Sequence, residues 1–284
     1  MKRFKLSELR ETLKNGNTRA KKHYSQNFLI DGNILKKIVD AAEISAGETV
    51  LEIGAGTGAL TEALLERGAY VIAVEKDPSL VDSLNTLQST NHNLKIIVGD
   101  CLTIPIESLL PLKTKIKIVG NLPYKITAPI LSRFLPLHDR VHSLTTMVQK
   151  EVAERITASP STKEYGSFSL FSQFWSCPTL CFKIAPSCFF PAPKVTSAVV
   201  QFILTPPPIH FSHQKFFHLT RAAFHQRRKM LKNALSSLYS TKELEKAFAS
   251  TKLPLNIRGE VLSLSQFLSL FLSLQKPSEQ SNGT

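Results

Sequence analysis

The chain of 284 residues is long enough for one domain of roughly 200 residues with a smaller companion, and too short for three domains. A hydrophobic fraction of 43% excludes wholesale disorder. Lysine and arginine total 35 against 22 acidic residues, a net charge of +13, which points to a polyanionic partner because each cation that meets a phosphate releases a condensed counterion.

Met1 to Asn15 is charged through Lys2, Arg3, Lys5, Glu8, Arg10 and Glu11 and lacks the apolar run of a secretory signal. Residues 49 to 119 then alternate between strands and helices. Thr49-Val-Leu-Glu-Ile53 reads as an apolar strand, a glycine turn follows at 54–58, and a helix near 59–67 puts Leu60, Leu64 and Leu65 on one face. A second strand is Tyr70-Val-Ile-Ala-Val74, after which Pro78 opens a helix at its first turn, where a missing N–H costs nothing. Leu94 to Val98 and Ile116 to Val119 are the third and fourth strands, each ending in a polar loop. This alternation predicts a mostly parallel sheet with helices on both faces and ligands beyond the carboxyl ends of its strands.

A strand near 144–149 and a helix near 150–157 come next, then a stretch over 159–194 rich in serine, proline and aromatic residues. Ser197 to Leu204 is β-like and runs into Pro206-Pro207-Pro208, which continues neither strand nor helix and marks the domain boundary. The remainder is helical in pattern. Its longest apolar stretch, Val261 to Leu274, is broken by four serines and a glutamine and is too short and polar to span a membrane, so no membrane partner is expected. Four cysteines give no disulfide framework, which points to a reducing cytoplasm, and the spacing of Cys177, Cys181 and Cys188 lacks the paired ligands of a metal site.

Leu51-Glu-Ile-Gly-Ala-Gly-Thr-Gly58 is the strongest nucleotide signal, because glycines at a strand-to-helix turn let backbone approach a ligand. Gly54, Gly56 and Ala59 also satisfy a dinucleotide G-x-G-x-x-A, which leaves a nicotinamide oxidoreductase as a rival. Glu75 ends the next strand 21 residues after Gly54, the ribose-bonding position in either case. Glu52 before the glycines, Asp100 after the third strand and Asn121 after the fourth favour S-adenosylmethionine, since acids suit a sulfonium and repel a pyrophosphate.

The fourth strand runs into Gly120-Asn121-Leu122-Pro123-Tyr124. The N6 lone pair of adenine is delocalised into the ring, so acceptors on its N–H groups favour a pyramidal, nucleophilic nitrogen. The Asn121 side-chain oxygen and the Leu122 carbonyl are candidates for those acceptors, with Pro123 fixing the turn and Tyr124 stacking on an extruded base. With the E-x-G-x-G-x-G turn, this tetrapeptide resembles the adenine-N6 methyltransferases. Within them the chain is similar to the small-subunit ribosomal RNA adenine dimethyltransferases over about residues 18 to 265, through Ser25-Gln-Asn-Phe-Leu29, Gln149-Lys-Glu-Val152, Phe190-Pro-Ala-Pro-Lys-Val195, Ser197-Ala-Val-Val200 and Phe224-His-Gln-Arg-Arg-Lys-Met-Leu-Lys-Asn233.

The resemblance implies a doubly wound, Rossmann-like α/β domain of the class I S-adenosylmethionine-dependent methyltransferases over residues 1–205, including an N-terminal lid, and a small all-helical RNA-binding domain over 206–284. It implies dimethylation of two adjacent adenosines in a hairpin near the 3′ end of 16S rRNA during small-subunit maturation; a cytoplasmic monomer without metal is the separate expectation. It places Asn27, Leu29, Gly54, Glu75, Asp100 and Asn121 on the cofactor, with Glu75 on the ribose and Asp100 near the adenine. Ser25, Ala192 and Thr196 depart from residues common in the family. The related large-subunit methyltransferases of macrolide resistance rank second, because they usually carry N-I-P-Y and lack the F-x-x-R-R-K-x-L-x-N run. A non-catalytic RNA-binding assembly factor on the same fold is the rival from another class.

A helical wheel over 215–238 puts Phe217, Phe224, Leu231 and Leu235 in one stripe, with Arg221 and Arg228 on the same side. Arg228 is either a buried partner of an acid or a surface cation. Arg227, Lys229 and Lys232 flank the stripe as expected phosphate contacts, and Arg19, Lys21 and Lys22 adjoin the lid as further RNA-binding cations.

Overall fold

The computed structural model describes residues 3–15, 19–21, 26–110, 114–208 and 212–275. In chain order the elements are α1 (Leu6–Asn15), β1 (Phe28–Leu29), α2 (Gly32–Ala41), β2 (Thr49–Ile53), α3 (Ala59–Glu66), β3 (Tyr70–Glu75), α4 (Val81–Gln88), β4 (Leu94–Val98), α5 (Ile106–Leu109) and β5 (Ile116–Asn121). There follow α6 (Thr127–Phe134), β6 (Val141–Gln149), α7 (Lys150–Ile156), α8 (Ser167–Trp175), β7 (Ser176–Ile184), β8 (Phe189–Phe190), β9 (Ser197–Leu204), α9 (His213–His225), α10 (Leu231–Leu235), α11 (Thr241–Ser250) and α12 (Leu264–Leu274).

Seven strands form one sheet in the order β4-β3-β2-β5-β6-β9-β7. The five strands from β4 to β6 are parallel, and β9 lies antiparallel between β6 and β7. On β2 the consecutive residues Val50, Leu51, Glu52 and Ile53 are all buried, so both faces of the sheet are covered, as a parallel sheet requires. The strand order reverses at β2, which pairs with both β3 and β5 and sets Ile53 opposite Gly120. Loops leaving adjacent strands there diverge and open a crevice. Gly120 is required by that pairing: a Cβ on it would lie 2.5 Å from the Ile53 carbonyl oxygen.

The chain divides into two compact units, Met1–Ala153 with Ser176–Pro206, and Glu154–Trp175 with Pro207–Thr284. Residues 154–175, expected within the first domain, belong to the second unit instead. Their aromatic side chains explain this. Phe174 stacks on Phe216 of α9 with centroids 5.3 Å apart, and the buried Tyr165 donates its hydroxyl to the Leu262 carbonyl at 2.9 Å. Phe271 of α12 meets Phe216 edge-on at 5.5 Å, so the second unit has an aromatic core of its own. Capping boxes, Ser240 with Glu243 and Ser263 with Gln266, start α11 and α12.

The helix expected over 215–238 is interrupted. α9 ends at His225, residues 226–230 turn, and α10 starts at Leu231. Gln226 leaves helical geometry at φ −125°, ψ 67°, and the buried Leu231 donates its backbone N–H to the Ile257 carbonyl at 2.8 Å. Burial of Leu231 against that loop overrides the helical continuation.

Candidate active site

The glycine turn follows from backbone conformation. Gly54, Gly56 and Gly58 have φ of +77°, +59° and +90°, a left-handed region that L side chains rarely adopt. Its amides are organised by Glu75 at the end of β3: the Gly56 N–H donates to Glu75 Oε2 at 2.7 Å and the Asp77 N–H to Oε1 at 2.7 Å. Burial, with the Asp77 charge adding, pushes the Glu75 carboxyl above its usual range, against the pull of the Asp77, Gly56 and Lys76 amides. With the Lys76 amide a third donor, about one of the four acceptor positions of the carboxylate is left for a further donor. Glu52, fully buried beneath the turn, is pushed up to about 7 by burial, with the Thr61 hydroxyl at 2.6 Å opposing and the Glu75 charge adding to the rise.

Beyond the strand ends lies a cavity of about 210 Å³ whose walls include Asn27, Gly54, Gly56, Glu75, Lys76 and the run Asn121 to Ile126. A smaller neighbouring space of about 50 Å³ is lined by Leu29, Glu52, Gly54 and Asn121. Asn27, Leu29, Gly54, Glu75 and Asn121 are therefore brought together. Asp100 is absent from both walls. Its carboxylate pairs with the Lys76 ammonium at 2.9 Å and accepts the Leu102 N–H at 2.9 Å, and these outweigh the effect of partial burial to hold it below the ordinary carboxylate range.

In the tetrapeptide, Asn121 Nδ2 donates to the Asn27 carbonyl at 3.0 Å. A carbonyl only accepts, so this bond sets the amide orientation and leaves Oδ1 as its accepting face. Leu122 is buried, and its N–H donates to the Met147 carbonyl of β6 at 3.2 Å. Pro123, at φ −58° and ψ 125°, turns the chain into a short 3₁₀ segment from Tyr124 to Ile126. The Tyr124 hydroxyl lies 2.7 Å from Ser197 Oγ on β9. Burial raises the Tyr124 phenol above its usual value, with Ser197 opposing, so it is neutral at ordinary pH.

Several residues here carried no individual assignment from the sequence. Asp77 is fully buried and receives the Lys21 ammonium at 2.7 Å and Gln26 Nε2 at 2.8 Å, which ties the lid segment to the end of β3. Its place before Pro78, as the cap of a 3₁₀ turn, was the available signal. Arg133 on α6 donates to the carbonyls of Leu102 and Ile104 and so holds the loop that carries Asp100. Arginine on a helix has no local signature for such a role.

The expected RNA-binding cations are variously engaged. Lys21 pairs with Asp77, Lys232 with Glu245 at 2.6 Å, and Arg227 donates to the Lys163 carbonyl at 2.8 Å with Glu260 at 3.5 Å. Arg228 and Lys229 are exposed on the 226–230 turn, which settles Arg228 as a surface cation. Lys22 and Ser25 lie outside the described residues.

The family model for ribosomal RNA adenine dimethylase matches residues 17–276. The chain belongs to that family. This rRNA adenine dimethylase is 44% identical over 275 residues to the ribosomal RNA small subunit methyltransferase A of Protochlamydia amoebophila, covering 95% of this chain and 97% of that one. A dimethyladenosine transferase from Plasmodium falciparum has a similar structure, with TM-score 0.72 and 26% identity over 86% of this chain and 96% of that one. The 23S rRNA methyltransferase ErmE, 24% identical with TM-score 0.69 over 88% of this chain and 100% of that one, shares the fold. The dimethylase is thus a class I methyltransferase that uses S-adenosylmethionine as methyl donor. Its residues fit that cofactor: buried acids border the glycine turn, and the turn leaves room where a side chain would intrude. Among the described residues no group of side chains is arranged to hold a metal, and no helix is long and apolar enough to cross a membrane.

Proposed function

We propose that the enzyme dimethylates N6 of two adjacent adenosines in a hairpin near the 3′ end of 16S rRNA, on the maturing small subunit, as a monomer in the cytoplasm. The observation that carries the chemistry is the pinned amide of Asn121, whose Nδ2 is held by Asn27 O. Four free cysteines support the reducing compartment, and the name of the Protochlamydia amoebophila relative supports the small-subunit target.

Bound S-adenosylmethionine would supply an electrophilic methyl on a sulfonium, with a neutral thioether as the leaving group. Glu75, with Gly54 and Asn27, would hold the cofactor, and Lys76, which pairs with Asp100 outside the cavity walls, would border it. Asn121 Oδ1 and the Leu122 carbonyl would accept the N–H groups of the target amine, two at the first transfer and one at the second, and would orient its lone pair toward the cofactor. The Tyr124 ring, braced through its hydroxyl by Ser197, stacks on the extruded base. No strong base is needed, because the proton leaves a nitrogen made acidic by methylation and passes to water past carbonyl acceptors. Positioning supplies the rate.

The test is transfer of tritiated methyl groups to under-methylated small subunits and, separately, to large-subunit RNA. N6,N6-dimethyladenosine on the small subunit is the expected product. Label confined to large-subunit RNA would overturn the target, and binding without label would overturn the chemistry.

A further inference from the structure

The N-terminal arm, Arg3 with α1, precedes residue 17, where the family match begins, and has no part in the site as described so far. Leucines at positions 6, 9 and 13 recur at helical spacing on α1. Leu9 and Leu13 are buried against Phe28 and Leu80. Phe28 is the middle of the lid: it lines both cavities, and its ring would lie 3.3 Å from a Cβ placed on Gly56. Arg10 of the same helix sits over the ring of Phe190, 5.5 Å from its centroid, and Phe190 is the register partner of Phe28 in the β1–β8 pair.

Arg3 reaches the other side of the pocket. Its guanidinium donates to the Thr57 carbonyl at 3.2 Å and to Ser83 Oγ on α4 at 2.5 Å, while Ser83 Oγ donates to the same carbonyl at 2.9 Å. The Arg3 backbone N–H donates to Glu62 Oε2 on α3 at 2.9 Å. Thr57 sits between two glycines of left-handed φ, where the backbone has most freedom to lose. The arm thus grips the glycine turn at Thr57 and the lid at Phe28.

We propose that this arm is a positioning clamp for the cofactor pocket, with Arg3 its key residue: it holds the turn and the lid in their receiving geometry before S-adenosylmethionine binds. The proposal rests on the cofactor seat proposed above. Apparent affinity scales with the fraction of receptive protein, so loosening the clamp until about one molecule in ten is receptive weakens binding about tenfold.

Arg3→Ala, Arg3→Lys and Ser83→Ala are compared with the parent enzyme by calorimetric titration of S-adenosylmethionine and by steady-state methylation of small subunits. Arg3→Ala is expected to raise the Kd and KM for S-adenosylmethionine about tenfold, while kcat at saturating cofactor and KM for RNA stay within about twofold. Arg3→Lys, which keeps one donor for Thr57 O, recovers part of the loss, and Ser83→Ala shows a smaller loss in the same direction. Unchanged cofactor affinity in a folded Arg3→Ala protein overturns the clamp, as does a rise confined to the KM for RNA. If Arg3→Ala fails to fold by circular dichroism, unchanged affinity in Ser83→Ala overturns it instead. Glu75→Ala separates the two readings: binding that survives Glu75→Ala refutes the seat, whereas binding lost there but kept in Arg3→Ala refutes the clamp alone.

Discussion

The side chain of Asn121 at the end of β5 is held by the backbone of Asn27 in the lid, Nδ2 to O at 3.0 Å. One bond therefore orients the residue proposed to accept from the target amine and fastens the lid to the sheet edge. Asn121→Ala removes both the donor to the Asn27 carbonyl and the oxygen proposed to accept from the target amine. We expect kcat to fall by about 10²- to 10³-fold, the usual cost of removing one preorganised polar group at a reacting centre. The Kd for S-adenosylmethionine should rise as well, because the lid loses its tether. Single-turnover methylation alongside calorimetric binding measures both, and near-normal turnover would sink the role given to Asn121.

Glu52 predicts a pH effect on stability. Its carboxyl is raised from an ordinary 4.5 to about 7 in the folded protein, first by burial. The folded state binds that proton more tightly than the unfolded chain, so the contribution of Glu52 to stability is greatest below about pH 4.5 and is lost as pH rises toward 7. Glu52→Gln keeps an oxygen for the Thr61 hydroxyl and removes the titration. The parent should therefore lose stability relative to Glu52→Gln by about 1 kcal/mol per pH unit across that window. Thermal melts at intervals from pH 5 to 8 decide it; a difference between the two proteins that does not move with pH rules the titration out.

How far the site could be read from sequence depended on whether a residue works through its neighbours in the chain. Glu75 and Asn121 end strands of plain apolar pattern, and β2, β4 and β9 run over the same residues that the pattern indicated. The lid motif and tetrapeptide were likewise visible as contiguous runs. Arg3, Asp77 and Arg133 were not, because each acts on residues distant in the chain: Arg3 on Ser83, Asp77 on Lys21, Arg133 on Leu102. β7 was missed for a related reason. It is an edge strand with Pro178 near its start and a register shift between Leu180 and Phe182, so it shows little regular alternation.

Arg133 is open to direct trial. Its two terminal nitrogens serve the carbonyls of Leu102 and Ile104, a geometry that a single ammonium cannot reproduce. Both Arg133→Ala and Arg133→Lys should weaken S-adenosylmethionine binding severalfold by loosening the loop that carries Asp100. Arg133→Ala should also cost about 1–3 kcal/mol of stability, because part-buried carbonyls lose their donors. Urea unfolding with cofactor titration on the same samples tests this. Full binding by the lysine variant would show that one donor suffices and that the fork has no special part.

The basic turn between α9 and α10 separates structural from phosphate-seeking cations. Lys232 is paired with Glu245, and Arg227 is engaged by the Lys163 carbonyl and Glu260, so part of their charge is already used within the protein. Arg228 and Lys229 stand exposed on residues 226–230, where the broken helix presents them on a turn rather than along a stripe. If these two carry the RNA contact, changing both to alanine removes about two phosphate contacts and flattens the slope of log affinity against log salt by between about 1 and 2. Lys232→Ala should change the slope by less than half as much and should act mainly on stability. Filter binding to the 16S hairpin across a salt series measures the slopes. An unchanged slope in the double variant would move the RNA contact away from this turn, and a larger change in Lys232→Ala would mean that its pairing with Glu245 opens when RNA binds.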